Sequence, residues 1–358
     1  MARNSVFFIL AIIALALAGC SSQQQAQEVR QGQGQLAAEI NVYNWEDYFD
    51  EDKTVLSGFE EEYGVKVNLF EYADENFMLT DLQENPGKYD VVITEDDTVN
   101  QMIDFKLVAP LNLENIPNYG NIGPDFRSEY DGKVYNVPYF WGTNIIAVNR
   151  KYVTEDVDSY SIFWNEKYTG KMEMLLNKRS AIGATLKYLG YSLNSKDPDE
   201  LAQAGELLEQ NRDILAGYDD IYSMGEKMMD GTVWVGQMPS GAVFWVASEN
   251  EDVVPVLPKE GSEIWVDSMV VPASSRNKKT AELFINYILR PEVSGKIVNY
   301  VRYPNPNLAA APYTDPDILN NTVLYPSKEF MDKSEFIKPL GDAEPAWNEL
   351  WSRLQLQR

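Results

Sequence analysis

The hydrophobic positions between residues 40 and 93 change period several times, and each change predicts an element. Ile40, Val42 and Tyr43 open a short strand. Val55, Leu56, Phe59 and Tyr63 then recur at the spacing of a helix that buries one face. Gly64 follows directly, as suits a helix C′ position, where positive φ costs glycine nothing. Val65, Val67 and Leu69 alternate as a strand does. Phe77, Met78 and Leu82 mark a second helix, stopped by Pro86-Gly87, and Tyr89-Asp90-Val91-Val92-Ile93 reads as a buried strand. The order β-α-β-α-β predicts an α/β fold with a parallel sheet and right-handed crossovers. Ligands of such sheets sit beyond the carboxyl ends of the strands. That directs attention to Trp45-Glu46-Asp47-Tyr48 and Thr94-Glu95-Asp96-Asp97.

Further along, Leu201, Ala204, Leu207 and Leu208 share a helical face, and Leu283, Phe284, Tyr287 and Ile288 form another. Pro291 suits the first turn of the next helix. Trp347, Leu350, Trp351 and Leu354 close the chain with an i, i+3, i+4, i+7 stripe, read as core packing. No repeat of solenoid period is present.

The chain opens differently. Arg3 precedes an apolar run from Val6 to Ala18, which suits a signal-peptide core and is too short to span a bilayer. The run ends in Leu17-Ala18-Gly19-Cys20, which resembles the lipobox of bacterial lipoproteins, with Cys20 as the lipidation site. Cys20 is the only cysteine, so no internal disulfide can form. Ser21 to Gln35 lacks large apolar residues and reads as a tether. No later run of membrane-spanning length follows.

Composition narrows the function. A net charge of −25 argues against nucleic acid and against a basic membrane-binding patch, and its field favours a cationic ligand. With no histidine in 358 residues, Ser-His-Asp and Cys-His hydrolases, HExxH proteases and His-ligated metal sites are excluded. An alkylammonium ligand needs carboxylates to neutralise it and aromatic faces to pack its methylenes. Trp45 with Tyr48, and Trp265 with Asp267, offer both within short segments, and Tyr303 adds a loop aromatic. Paired carboxylates would also suit a glycosidase, although 55 acidic residues make chance pairs common. The acidic run at Asp50 lacks the spacing and glycine of an EF-hand loop.

Several blocks carry a resemblance. They are Tyr43-Asn44-Trp45 with Tyr48, Tyr89-Asp90-Val91-Val92, Pro138-Tyr139-Phe140-Trp141-Gly142, Tyr168-Thr169-Gly170, Leu189-Gly190-Tyr191-Ser192, Pro258-Lys259-Glu260-Gly261, Trp265-Val266-Asp267-Ser268 and Tyr303-Pro304-Asn305-Pro306-Asn307-Leu308. From about Ile40 onward the chain resembles the periplasmic spermidine/putrescine-binding proteins, a family of type II solute receptors. The resemblance implies two α/β lobes joined by crossing strands, closing over a ligand in the cleft. Such a receptor docks on an ABC permease, needs no cofactor or metal and performs no chemistry. The domains expected are a signal peptide at 1–19, a lipidated tether at 20–37, one lobe from 38–142 with 266–311, and a second from 143–265 with 312–358. The expected location is the periplasm or cell surface, with a lipid anchor in the membrane.

By the same resemblance, Trp45, Tyr48, Trp265 and Tyr303 match cage aromatics, Thr94 a cleft serine, and Asp267 the carboxylate facing the middle of the ligand. Two family carboxylates for a terminal ammonium fall on Asn177 and Ser180, a cage Trp falls on Pro239, and a glutamine contact falls near Ile337. Glu46, Asp96 or Asp97, and Asp219 are candidates for relocated charge. If they do not face the cleft, a shorter or less charged amine such as putrescine is expected to bind better than spermidine. A same-fold receptor for another small amine or zwitterion, and a lipoprotein enzyme such as a glycosidase, are the alternatives.

Overall fold

The computed structural model describes residues 36–50 and 53–356. The signal segment, Cys20 and most of the tether lie outside them. Strands β1 (Glu39–Trp45), β2 (Lys66–Tyr72) and β3 (Val91–Glu95) are joined by helices α1 (Thr54–Tyr63) and α2 (Glu75–Glu84). β1 lies between β2 and β3 and is parallel to both, as the alternating periods predict. Gly64 takes φ 65° and its N–H bonds Glu60 O, closing α1. In α2, Met78 and Leu82 are buried one turn apart. Phe77, one residue and so about 100° round the helix from Met78, is 64 % exposed.

β3 runs two residues past the predicted strand, so Thr94 and Glu95 belong to it, and helix α3 (Asp96–Asp104) starts at once. β4 (Asn136–Asn149) is buried along all fourteen residues. Its sequence NVPYFWGTNIIAVN is apolar almost throughout, as a strand covered on both faces must be. Then come β5 (Met172–Leu175), α4 (Lys178–Tyr188), α5 (Pro198–Gln210), β6 (Gly217–Asp219), α6 (Ile221–Asp230), β7 (Val235–Pro239), α7 (Ser240–Glu249), β8 (Val253–Val256) and β9 (Glu263–Val270). Helices α8 (Lys278–Ile288) and α9 (Pro291–Val301), the short α10 (Pro316–Leu319) and α11 (Lys328–Lys333), β10 (Glu335–Phe336) and α12 (Glu344–Leu356) complete the described chain.

The strands form one curled sheet in the order β2-β1-β3-β9-β4-β7-β5-β6, with β10 beside β9 and β8 beside β4. β4 and β9 are the crossing strands. The first half of β4 pairs antiparallel with β9, and its second half pairs with β7 and β8. Each half of the sheet has its own apolar cores. Phe59, Phe284, Tyr287 and Val298 pack on one face of the first half, and Met78, Tyr89 and Met102 on the other. Phe163, Ile182 and Trp347 fill one face of the second half, with Met224, Met228 and Val243 on the other. The predicted stripes on α5, α8 and α12 supply Leu201, Phe284 and Trp347 to these cores. This is a mixed α/β, two-lobed architecture with a cleft where the two half-sheets meet. Among the described residues no helix is long and apolar enough to cross a membrane.

Candidate functional site

A strand turns alternate residues to the same face. On β9 this places Glu263, Trp265 and Asp267 on one side. Across β3, Glu95 is the register partner of Asp267. Helix α3 begins one residue later and brings Asp96 and Asp97 alongside, and α2 begins with Glu75. Chain geometry alone therefore concentrates six carboxyl groups at the junction of the crossing strands. Glu95, Asp96 and Asp97 on one side, with Ile264, Trp265, Val266, Phe336 and Ile337 on the other, line a small cavity of about 220 Å3 of empty space, part of it open to solvent.

Burial dominates the electrostatics, because taking a carboxylate out of water disfavours its charged form. It raises Asp267 to about 7 against the hydrogen bond donated by Tyr48 Oη to Oδ2 (2.5 Å), with Glu75 adding repulsion. It raises Glu263 to about 7 although Ser180 Oγ donates to its Oε1 at 2.9 Å and Asn144 Nδ2 also bonds it. Asp96 rises to about 6 while accepting from Ser268 Oγ (2.6 Å) and Asn136 Nδ2 (3.0 Å). Glu75 is raised by burial despite donors from Thr94 Oγ1 (2.5 Å), Glu95 N (3.0 Å) and Thr98 Oγ1 (2.8 Å). Glu95 is pushed well above the carboxylate range by burial and then by Glu75, Asp267, Glu263 and Asp97. Two cations act on this group through Asp97, Arg179 first and then Lys178, whose Nζ is itself paired with Glu344. Arg179 Nη1 lies 3.3 Å from Asp97 Oδ1 and also bonds Lys338 O, Nη2 bonds Asn194 Oδ1, and the guanidinium lies over Trp347.

Aromatic rings surround the acids. Trp265 and Tyr303 meet edge to face at 5.0 Å, Tyr48 sits 5.5 Å from Phe140, and Trp45 packs on Tyr72 at 4.5 Å. Glycines make this close approach possible. A Cβ on Gly142, the β4 register partner of Trp265, would overlap its indole, and one on Gly241 would overlap the Tyr303 ring.

The structure thus brings Tyr48, Thr94, Asp96, Ser180, Trp265, Asp267 and Tyr303 to the acidic junction, with Trp45 at its edge. Three sequence candidates make no hydrogen bond to these acids among the described residues. Glu46 is exposed, and its charge acts on Tyr222 of α6, which in turn acts on Tyr303. Asn177 caps α4, its Oδ1 accepting from Arg179 N and Ser180 N. Asp219 is paired with Lys227 Nζ at 2.5 Å, a lysine it shares with Glu173. Glu75, Glu263 and Arg179 were not singled out from the sequence, and Glu95 was marked only as part of the segment after the third strand. Glu263 had a usable signal, since it lies in phase with Trp265 and Asp267. Glu75 and Arg179 reach the junction only through tertiary packing. Among the described residues no group of three or more acidic, histidine or cysteine side chains is arranged to hold a metal ion.

Comparison with known proteins agrees with this architecture. The profile of the bacterial extracellular solute-binding protein family matches residues 54–324. The spermidine/putrescine-binding periplasmic protein of Escherichia coli is 30 % identical over 323 residues, covering 89 % of this chain and 92 % of that one. A putrescine/agmatine-binding protein of Pseudomonas aeruginosa is 28 % identical over 313 residues, covering 82 % of this chain and 84 % of that one. The crystal structure of the spermidine/putrescine ABC transporter substrate-binding protein of Streptococcus pneumoniae superposes with a TM-score of 0.80 at 31 % identity, covering 90 % of this chain and 98 % of that one. These relatives are transport receptors and not enzymes, and the chain belongs to the bacterial extracellular solute-binding proteins, within the polyamine-binding periplasmic family.

Proposed function

We propose that this chain is the substrate-binding receptor of an ABC importer for polyamines, holding spermidine or putrescine by lobe closure. The lobes are residues 38–142 with 266–311 and residues 143–265 with 312–358. The receptor is anchored to the membrane through lipid on Cys20, works in the periplasm or at the cell surface, and delivers its ligand to permease subunits. The observation that carries this reading is the charge imbalance of the cleft: six carboxyl groups among aromatic rings, with an ion pair from Arg179 to Asp97 and Lys178 acting on the same Asp97 as the cations beside them among the described residues. Buried charge needs a partner, and an organic polycation supplies several on one chain while its methylenes pack on Trp265, Tyr48 and Tyr303. Each cation–π contact contributes about 0.5–2 kcal/mol, so a few of them with ion pairs reach the roughly −8 kcal/mol of a micromolar complex.

One observation favours a second ligand class of the same fold. Arg179 is 4 % exposed and occupies the α4 end, where the resemblance leads one to expect acids. A cation there could accept the carboxylate of a zwitterionic amine. Ligand-dependent melting with spermidine, putrescine and an ω-amino acid separates the two, because tight binding to the folded state raises the midpoint by mass action. A rise with the polyamines alone supports the proposal. A rise with the amino acid alone refutes it.

A further inference from the structure

The six carboxyl groups of the junction are not equivalent, and counting their partners singles one out. Glu75 accepts from Thr94, Thr98 and a backbone N–H. Asp96 accepts from Ser268 and Asn136, Asp97 faces Arg179, Glu263 is held by Ser180 and Asn144, and Asp267 accepts from Tyr48. The Glu95 carboxylate has neither a donor nor a cation among the described residues, and it caps no N–H of α3. The groups that act on it are Glu75, Asp267, Glu263 and Asp97, all of its own sign. It lines the cavity together with Trp265. An independent feature lies beside Asp267, the register partner of Glu95. Tyr139 is 3 % exposed, its hydroxyl has no partner, and Asp267 acts on it directly. A phenol oxygen can accept a hydrogen bond from an ammonium group.

We infer that Glu95 is the residue that receives a terminal ammonium of the ligand, together with its register partner Asp267 and the Tyr139 hydroxyl. This deepens the polyamine reading and rests on it. It moves a terminal-ammonium subsite from the start of α4, where Asn177 is spent as a helix cap and Arg179 repels cations, to the end of β3. Burial and four like-signed neighbours hold the proton on Glu95 in the empty receptor, and an ammonium that takes the place of that proton gains an ion pair and offsets the repulsion.

The test is isothermal titration of spermidine and putrescine, at pH 8, into wild type, Glu95→Gln and Asp219→Asn, with melting of each protein alone. Asp219→Asn removes the same unit of charge outside the junction and separates a local contact from the general field. Glu95→Gln is expected to lose about thirty-fold or more in affinity, the loss typical of truncating one partner of a buried charged pair. Its ligand-free midpoint is expected to rise, since an isosteric amide ends the repulsion, whereas a carboxylate with a structural role would lower it on removal. Asp219→Asn is expected to bind within about three-fold of wild type, as distant sites do. Should Glu95→Gln fail to fold, Glu95→Thr gives the same readouts. Wild-type binding with Glu95→Gln unchanged overturns this inference alone. A wild type that binds neither amine overturns the polyamine reading and this inference with it.

Discussion

Amine binding to this receptor is expected to weaken steeply with acid, through the protein rather than the ligand. Alkyl amines titrate near 10.4, so the ligand is fully cationic throughout the range from about pH 5 to 8. Asp267 is 3 % exposed and its carboxyl is raised to about 7 in the empty cleft. Only the ionised form pairs with an ammonium, and apparent affinity scales with the fraction of receptor in the competent state. At pH 8 about nine molecules in ten have Asp267 ionised, and at pH 5 about one in a hundred. The dissociation constant should therefore rise about a hundred-fold from pH 8 to pH 5 if Asp267 alone must be charged, and towards ten-thousand-fold if Glu263, also near 7, must be charged with it. Binding should release protons, seen as a dependence of the titration heat on the ionisation enthalpy of the buffer. Stability of the empty receptor follows with the opposite sign. These carboxyl groups hold their protons above the unfolded value of about 4, so the folded state binds more protons between about pH 4 and 7. Their contribution is fully present below that window and is lost as pH rises through it. The ligand-free melting midpoint should fall from pH 5 to pH 8 while the ligand-induced increment grows. Titration calorimetry at fixed ionic strength measures the affinities. A dissociation constant constant within about three-fold from pH 5 to 8 would refute the argument, since every buried acid in the cleft shifts the same way.

Four mutations test other parts of the reading. Trp265→Ala and Asp267→Ala should each weaken spermidine binding, Asp267→Ala by about 2–5 kcal/mol, while leaving the protein folded; calorimetry showing unchanged affinity in both would remove them from the site. Gly142→Ala should displace the Trp265 indole, lowering stability by about 1–3 kcal/mol and weakening amine binding, whereas unchanged melting and affinity would mean that the ring has room to move. Cys20→Ala should shift the protein from the membrane to the soluble fraction without altering ligand affinity, and a variant that still fractionates with membranes would end the lipid-anchor proposal.

The β-α-β-α-β start was legible because its apolar period switches cleanly between two and about 3.6, and strand ends were misjudged only by a few residues. The crossing strand β4 was hidden by its own burial. A strand covered on both faces loses the alternation that marks strands, and Asn136 to Asn149 reads as an apolar run. Within the site, aromatic residues were easier to find than acids. Trp265 and Asp267 stood out as a cage aromatic next to a carboxylate, and Glu263 in phase with them did not. An acid is by default a surface residue, and nothing local distinguishes the few that are buried. Asp219 looked like a candidate until α6 placed Lys227 beside it. Glu75 carries no mark in the sequence, and only the fold turns it onto Thr94.

Relocated charge is also expected to decide which polyamine fits. From sequence, putrescine was expected to bind better than spermidine unless Glu46 or Asp219 restored the acids missing at Asn177 and Ser180. Glu46 is exposed and Asp219 is paired with Lys227, but Glu263 contacts Ser180 directly and Glu95 stands beside Asp267. With Asp97 paired to Arg179, five carboxyl groups remain for the ligand. A diamine neutralises two and a triamine three. Length points the same way. Four residues along β9 separate Glu263 from Asp267, about 13 Å of strand. Single bonds of about 1.5 Å at tetrahedral angles give putrescine roughly 6 Å between nitrogens and spermidine roughly 11 Å between its ends. Only the longer chain reaches from the Glu95–Asp267 pair towards Glu263, since the side chains make up the remaining distance. Spermidine should therefore bind about tenfold or more tighter than putrescine at pH 8, the gain expected for one more desolvated charge pair. Glu263→Gln should erase most of that preference while leaving putrescine affinity within about three-fold, and Glu46→Gln and Asp219→Asn should leave it intact. Parallel titrations of both amines measure this. Tighter binding of putrescine to wild type, or an equal loss of both amines in Glu263→Gln, would show that the ligand does not span the crossing strand.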